Sequence, residues 1–146
     1  MNDNPVVAEI ARSWIGTPYQ HQASVRGVGA DCLGLVRGIW RSKFGSEPCQ
    51  IPDYSQDWGE CSGDEVLRRA ADRWLICLGT EPLYLGSILL FRMQDKAIAK
   101  HLGILSRIGQ HPTFIHAYSG HGVVESPLSD PWRRRIAAIY AFPRES

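Results

Sequence analysis

Residues 29–36 read Gly-Ala-Asp-Cys-Leu-Gly-Leu-Val and place a cysteine, Cys32, at the predicted start of a helix. Asp31 is a residue type that caps helix N-termini, and apolar residues follow it at helical spacing, at Leu35, Val36, Ile39 and Trp40. Gly34 and Gly38 each cost about 1 kcal/mol relative to alanine inside a helix. We therefore expect this helix to pack closely against another element.

The segments around this helix predict an α+β fold. Asn4 and Pro5 predict an earlier helix start, and Ser62 with Glu65 has the capping-box pattern of a third helix. From Ser87 onward, short runs of branched and aromatic residues alternate with turn residues and predict strands at Ile88–Phe91, Leu102–Leu105, Thr113–Tyr118, Gly122–Val124 and Ile136–Phe142. Helices followed by strands favour a mainly antiparallel sheet in one domain spanning residues 1–146.

Composition excludes several classes of function. The net charge is +1 with both signs interspersed, which argues against nucleic-acid binding, and no run approaches the roughly 18 apolar residues of a membrane span. The N-terminus lacks the pattern of a signal peptide, so we expect synthesis in the cytoplasm without membrane insertion. The four cysteines, Cys32, Cys49, Cys61 and Cys77, have no metal-binding or redox spacing and are interpreted as reduced thiols, with no cofactor.

Cys32 has the sequence context of a nucleophile. Helix N-terminal amides favour a thiolate, and a nearby histidine can lower a cysteine pKa from about 8.5 into the range of roughly 3.5 to 7.5. His101 begins one predicted strand and His116 lies in the next, so His116 could orient His101 as the base. On these arguments alone, a cysteine at a helix start is more often a small buried apolar residue, and a strand histidine is more often a structural one.

Five short motifs occur along the chain in a fixed order. They are Gly16–Tyr19, Gly29–Val36, Leu85–Phe91, His101–Ile104 and Phe114–Ala117. In content and order they resemble the NlpC-type (NlpC/p60) cysteine peptidases. The resemblance implies a papain-like core in which N-terminal helices carry the nucleophile and pack on the sheet.

The resemblance also implies functional roles. Cys32 would be the nucleophile, His101 the base and His116 the third polar residue, and Tyr19 would assist on the oxyanion or substrate side. Apart from the resemblance, Asp31 is placed on that side as the neighbour of Cys32, and His21 because it lies in the loop before the nucleophile, where site residues often cluster. Family members cleave stem peptides of bacterial peptidoglycan, and the versions most similar to this chain belong to phage tails and gene-transfer particles. Tail or baseplate proteins are therefore expected partners, and the cell wall, reached within a virion-like particle, is the expected site of action.

The chain departs from the family pattern on the substrate side. Leu33 replaces the usual serine after the nucleophile, Ser87 replaces an aspartate, and residues 21–23 (His-Gln-Ala) replace Trp-Gly-Gly. Bond specificity therefore cannot be carried over. His111, beside Pro112, is interpreted as a turn residue.

Three alternatives stay open. A zinc site built from His101, His116, His121 and Cys32 lacks an anchoring motif. A tail component that keeps the fold without cutting is compatible with the same residues. Hydrolysis or acyl transfer on an amide outside the cell wall would use the same thiolate chemistry.

Overall fold

A computed structural model describes residues 3–48, 65–93 and 99–143. Its helices are α1 (Pro5–Arg12), α2 (Cys32–Phe44), α3 (Val66–Trp74) and α4 (Asp130–Arg134), and its strands are β1 (Ser24–Val25), β2 (Gly29–Ala30), β3 (Ile76–Gly79), β4 (Ile88–Arg92), β5 (Ala99–Arg107), β6 (Thr113–Tyr118), β7 (Gly122–Pro127) and β8 (Ile136–Ala141). None of the helices within these ranges has the length and apolar character needed to cross a membrane.

Six strands form one antiparallel sheet in the order β3-β8-β4-β5-β6-β7. The short β1–β2 hairpin is separate and lies just before α2. The predicted α+β class with a mainly antiparallel sheet is confirmed. All five predicted strands are present, and β7 runs beyond its predicted end at Val124 to Pro127.

The first two helices begin where the sequence predicts. The Asn4 side chain accepts a hydrogen bond from the Val7 amide at 3.2 Å, and Pro5 occupies the first helical position. The Asp31 carboxylate accepts one from the Gly34 amide at 2.7 Å. Each cap satisfies a backbone N–H that the helix itself leaves without a partner.

The predicted capping box of α3 is wrong in the role it gave Glu65. The helix begins at Val66, with Glu65 at the N-cap and without a side-chain cap bond. The Glu65 carboxylate instead accepts hydrogen bonds from Arg92 at 2.8 Å and from the Ala99 amide at 2.9 Å. A charged partner on a neighbouring strand competes successfully because charge-assisted hydrogen bonds are the stronger ones. Ser62 lies outside the described residues.

The sheet is buried on both faces. On one face, α1 and α2 pack on a core that includes Leu35, Ile39, Ile88, Ile104, Ile115 and Tyr140. On the other face, Leu89, Phe91, Leu105, Phe114, Leu128 and Ile139 form a second cluster, against which Trp132 of α4 packs. Strand β3 and helix α4 were not predicted, and α4 supplies cover for the second face.

The two helical glycines permit close packing, as predicted. A Cβ at Gly34 would collide with the carbonyl oxygen of Ala23, and a Cβ at Gly38 would collide with the Trp14 ring. The first neighbour is backbone and cannot move cheaply. Helix α2 is thereby held against the loop that precedes it.

We predict that Gly34→Ala lowers the free energy of unfolding by about 1–3 kcal/mol, because overpacking outweighs the better helix propensity of alanine. Chemical denaturation followed by circular dichroism measures this. Ser42→Ala, at an exposed position of the same helix, is the control and should change stability little. A Gly34→Ala protein at least as stable as the wild type would contradict the packing described.

Candidate active site

The Asp31 carboxylate fixes the segment that carries Cys32. Asp31 is buried; one of its oxygens accepts from the Gly34 amide at 2.7 Å and the other accepts from the Gln22 amide at 2.7 Å. The first contact caps α2, and the second ties the preceding loop to the cap. Cys32 is therefore held as the first residue of the helix.

The same loop brings Tyr19 to this helix end. The Gln20 amide donates to the Ala30 carbonyl at 3.1 Å, and the Ala30 amide donates to the Pro18 carbonyl at 3.0 Å. This forms an isolated parallel bridge between Tyr19 and Ala30. Backbone contacts thus place Tyr19 beside the segment that leads into Cys32.

A cleft of about 190 Å³, the Cys32 cleft, opens at the N-terminus of α2. Its lining residues are Tyr19, His21, Asp31, Cys32, Met93, Lys100, His101, Ala117, Tyr118 and Ser119. Five of the six residues predicted for the site therefore share one cleft, and the sixth, His116, contacts His101 from behind it. Met93, Lys100 and Ser119 were not predicted, because no spacing pattern connects them to the motifs.

The two predicted histidines form a buried pair. His101 Nε2 and His116 Nδ1 share a hydrogen bond of 2.8 Å, so the predicted contact between the imidazoles is confirmed. His116 Nε2 in turn lies 2.9 Å from Ser126 Oγ. Because Nε2 of His101 is occupied by His116, Nδ1 is the ring atom left to accept a proton from another group.

Aromatic rings enclose the imidazole pair. The Trp132 ring centroid lies 5.8 Å from that of His101 and 5.4 Å from that of His116. Phe91 lies 5.9 Å from His101, and Phe114 lies 4.2 Å from His116. Trp132 was missed because it stands on a five-residue helix that lies outside the five motifs.

Burial dominates the pKa values of the site. It raises the pKa of Cys32 to about 12, with the Asp31 charge adding in the same direction. Backbone amides of Leu102, Leu33 and Cys32 itself act in the opposite sense but more weakly. The expectation of a lowered thiol pKa is therefore wrong for the free protein, since desolvation outweighs the helix N-terminus.

The histidines shift in the opposite direction for the same reason. Burial, followed by the charge of His116, lowers the pKa of His101 to about 3. Burial, followed by His121, lowers the pKa of His116 to about 4. Burial also raises the pKa of Tyr19, with Cys32 and Asp31 contributing. At neutral pH the site therefore holds a neutral thiol, two neutral imidazoles and a protonated phenol.

The remaining histidines lie around this site. His21 lines the cleft, with Nδ1 3.8 Å from Asp31 Oδ2. His111 is exposed in the turn between β5 and β6, as predicted, and His121 is exposed and stacks on Tyr118 with centroids 5.2 Å apart. Within residues 3–48, 65–93 and 99–143, no three His, Cys, Asp or Glu side chains converge as metal ligands. The zinc arrangement is therefore not formed there.

Comparison with known proteins identifies the fold. No family model matches the chain. Among solved structures, the chain is similar to an NLP/P60 family protein from Staphylococcus aureus Mu50 that is described as similar to a lipoprotein. The TM-score is 0.59 at 19% identity, and the match covers 96% of this chain and 41% of the Staphylococcus aureus chain. The chain also matches the NlpC/p60 domain of peptidoglycan hydrolase SagA (TM-score 0.53, 20% identity, 97% and 99%) and Ly7917 (TM-score 0.57, 11% identity, 93% and 61%). The chain has the NlpC/p60 fold, as the five motifs predicted.

A curated relative is similar in sequence as well. The chain is 28% identical over 123 residues to the murein DD-endopeptidase MepS/murein LD-carboxypeptidase of Escherichia coli K12, covering 84% of this chain and 54% of the relative. The same protein from two further Escherichia coli strains matches equally. The chain thus spans about half the length of the curated relatives it matches.

We predict that Cys32 reacts slowly with iodoacetamide at pH 7 and that its rate rises about tenfold per pH unit from pH 7 to 9, because only the thiolate reacts and the raised pKa keeps it scarce. Peptide mapping by mass spectrometry separates Cys32 from the exposed thiol of Cys77, which serves as the internal reference. A rate for Cys32 that is already at its plateau at pH 7 would show a preformed thiolate and contradict this.

A second prediction concerns Trp132. Trp132→Ala admits water to the imidazole pair, so the pKa values of His101 and His116 should rise toward the ordinary histidine value of about 6.5. Titration of ¹⁵N-histidine-labelled protein by NMR measures both. Trp132→Phe keeps an aromatic cover and should retain most of the lowering. Unchanged histidine pKa values in a folded Trp132→Ala protein would show that Trp132 does not desolvate the pair.

Proposed function

We propose that this chain is a cysteine peptidase domain, extending over residues 1–146, that hydrolyses peptide bonds in the stem peptides of bacterial peptidoglycan. The supporting observation is that Cys32 and His101 line one cleft while His116 holds Nε2 of His101. In this proposal Cys32 is the nucleophile, His101 the general base and His116 the residue that orients it. The peptidoglycan substrate is supported by the names of the relatives, a murein endopeptidase and a peptidoglycan hydrolase.

In the proposed mechanism the thiol of Cys32 and the imidazole of His101 both start uncharged, so the first proton transfer runs from Cys32 to His101. His101 Nδ1 takes the Cys32 proton as the sulfur attacks the amide carbonyl, and the carbonyl electrons move to oxygen. The tetrahedral intermediate collapses to a thioester, and the leaving amine takes the proton from His101. Water then attacks the thioester with His101 as base, and the acid fragment and the Cys32 thiol are released. His101 is neutral in the free protein and can therefore accept a proton at Nδ1.

Two groups in the cleft fit the developing oxyanion. The backbone amides of Cys32 and Leu33 are at the N-terminus of α2 and approach the sulfur closely enough to oppose the rise in its pKa. Tyr19 keeps its proton through its raised pKa and can donate a hydrogen bond. Asp31 has its two oxygens on backbone amides, so it supports the helix end, and His21 stands beside it at the cleft wall.

We also propose that the domain reaches the cell wall as part of a phage-like tail or gene-transfer particle, bound to tail or baseplate proteins. The support is the similarity of the five motifs to the versions found in such particles. Mass spectrometry of purified particles from the host should detect the chain in stoichiometric amount. Its absence from particles, with recovery in another fraction, would overturn this placement.

The function is tested by digestion of purified peptidoglycan, with released fragments read by mass spectrometry. Cys32→Ala and His101→Ala should each lower turnover at least about 100-fold, since a base alone contributes roughly 10²–10⁴-fold, and His116→Ala should lower it less. Cys77→Ala removes an exposed thiol outside the cleft and should retain full activity.

Two outcomes would contradict the proposal. Cys32→Ala that cuts as fast as the wild type would exclude the thiol mechanism. No cutting by a folded wild-type protein on walls of several chemotypes would favour a component that keeps the fold without hydrolysis. In the first case the scissile bond is still identified by the fragments.

A further inference from the structure

A chain of polar contacts extends beyond the two histidines. His101, His116 and Ser126 lie on three neighbouring strands, β5, β6 and β7, and are joined by contacts of 2.8 Å and 2.9 Å. His116 is opposite Val124, and Phe114 is opposite Ser126, so Ser126 is the diagonal neighbour of His116 on one face of the sheet. His116 is only 1% exposed, so its ring nitrogens need protein partners.

We propose that Ser126 is a positioning residue whose hydroxyl oxygen accepts a hydrogen bond from Nε2–H of His116. With its proton on Nε2, His116 accepts the Nε2–H of His101 at its own Nδ1. Nδ1 of His101 is then unprotonated and can take a proton. The assignment of His101 as the base rests on the proposed function. The hydrogen-bond order is argued from that role, and it can be measured in the free protein without substrate.

The argument follows from the two ways in which protons can occupy the pair. A neutral imidazole has one N–H and one acceptor nitrogen. If His116 carried its proton on Nδ1, it would donate to His101 Nε2, and His101 would carry its proton on Nδ1. A base in that form cannot accept a proton at the atom facing away from His116. Nδ1 of His101 is unprotonated only when His101 donates a hydrogen bond to His116 and His116 donates one to Ser126.

Loss of the serine hydroxyl acts unequally on the two forms. In Ser126→Ala, the productive form would bury an N–H of His116 without an acceptor, whereas the reversed form would leave only an unpaired acceptor nitrogen. Among backbone groups, buried N–H donors without a partner are rarer than acceptors without one, and we expect the same preference for imidazole nitrogens. The variant should therefore move the proton of His116 to Nδ1 and that of His101 with it.

Neighbouring polar groups on β7 belong to a separate cluster. Glu125 accepts hydrogen bonds from Ser106 at 2.7 Å and from Thr113 at 2.9 Å, and pairs with Arg12 at 3.5 Å. Ser106 is thus a buried strand serine of the same sheet whose bonds go to this cluster, and Ser106→Ala is a matched control for stability.

The direct test is the tautomeric state of the imidazoles in ¹⁵N-histidine-labelled protein, read from long-range NMR correlations near pH 7. The wild type should show His101 and His116 both protonated on Nε2. Ser126→Ala should shift both toward Nδ1–H, while Ser126→Thr, which keeps the hydroxyl, and Ser106→Ala should retain the wild-type pattern. Wild-type tautomers in folded Ser126→Ala, or Nδ1–H tautomers in the wild type, would overturn the proposal.

Kinetics on purified peptidoglycan give the second measurement. Ser126→Ala should lower kcat roughly 10- to 100-fold with little change in KM, as expected when a buried donor loses its partner, and Ser126→Thr should recover most of it. An equal loss in Ser106→Ala would show a general stability effect and contradict a positioning role. A wild type without activity would refute the proposed function alone, because the tautomer measurement needs no substrate.

Discussion

The buried carboxylate of Asp31 is the constraint on which the site depends. It accepts the Gly34 amide inside α2 and the Gln22 amide in the preceding loop, so that a single side chain fixes both the helix start and the loop that carries Tyr19 and His21. The contact of Gly34 with the Ala23 carbonyl region then presses the helix against that loop. The position of Cys32 at the first residue of α2 follows from these backbone contacts.

Burial opposes charge throughout the site, and this shapes the chemistry proposed for it. A carboxylate behind His101 would favour its protonated form, whereas His116 and Ser126 are neutral partners within a cover of aromatic rings. In the proposed mechanism, such a chain orients His101 without charging it. The thiol then gives its proton to the imidazole as the sulfur attacks the carbonyl carbon.

Much of this structure was accessible from the sequence, because caps and periodicity are local. The Asn4 and Asp31 caps, the core face of α2 and five strands of the sheet depend on neighbours within a few residues, and the five motifs predicted the fold. The contacts of Ser126 and Trp132 with the histidines could not be predicted, because they form only when β7 and α4 pack beside the histidines. The pKa direction of Cys32 was missed for a related reason: a helix start is visible in sequence, but the depth of its burial is not.

The most direct test of the central claim is a search for the covalent intermediate. Wild-type protein mixed with peptidoglycan stem peptides and quenched in acid should carry an added acyl fragment, and peptide mapping should assign it to Cys32. The His101→Ala protein should accumulate far less of it in the same time. Fragment release without any adduct at Cys32, or with an adduct on another residue, would contradict the account.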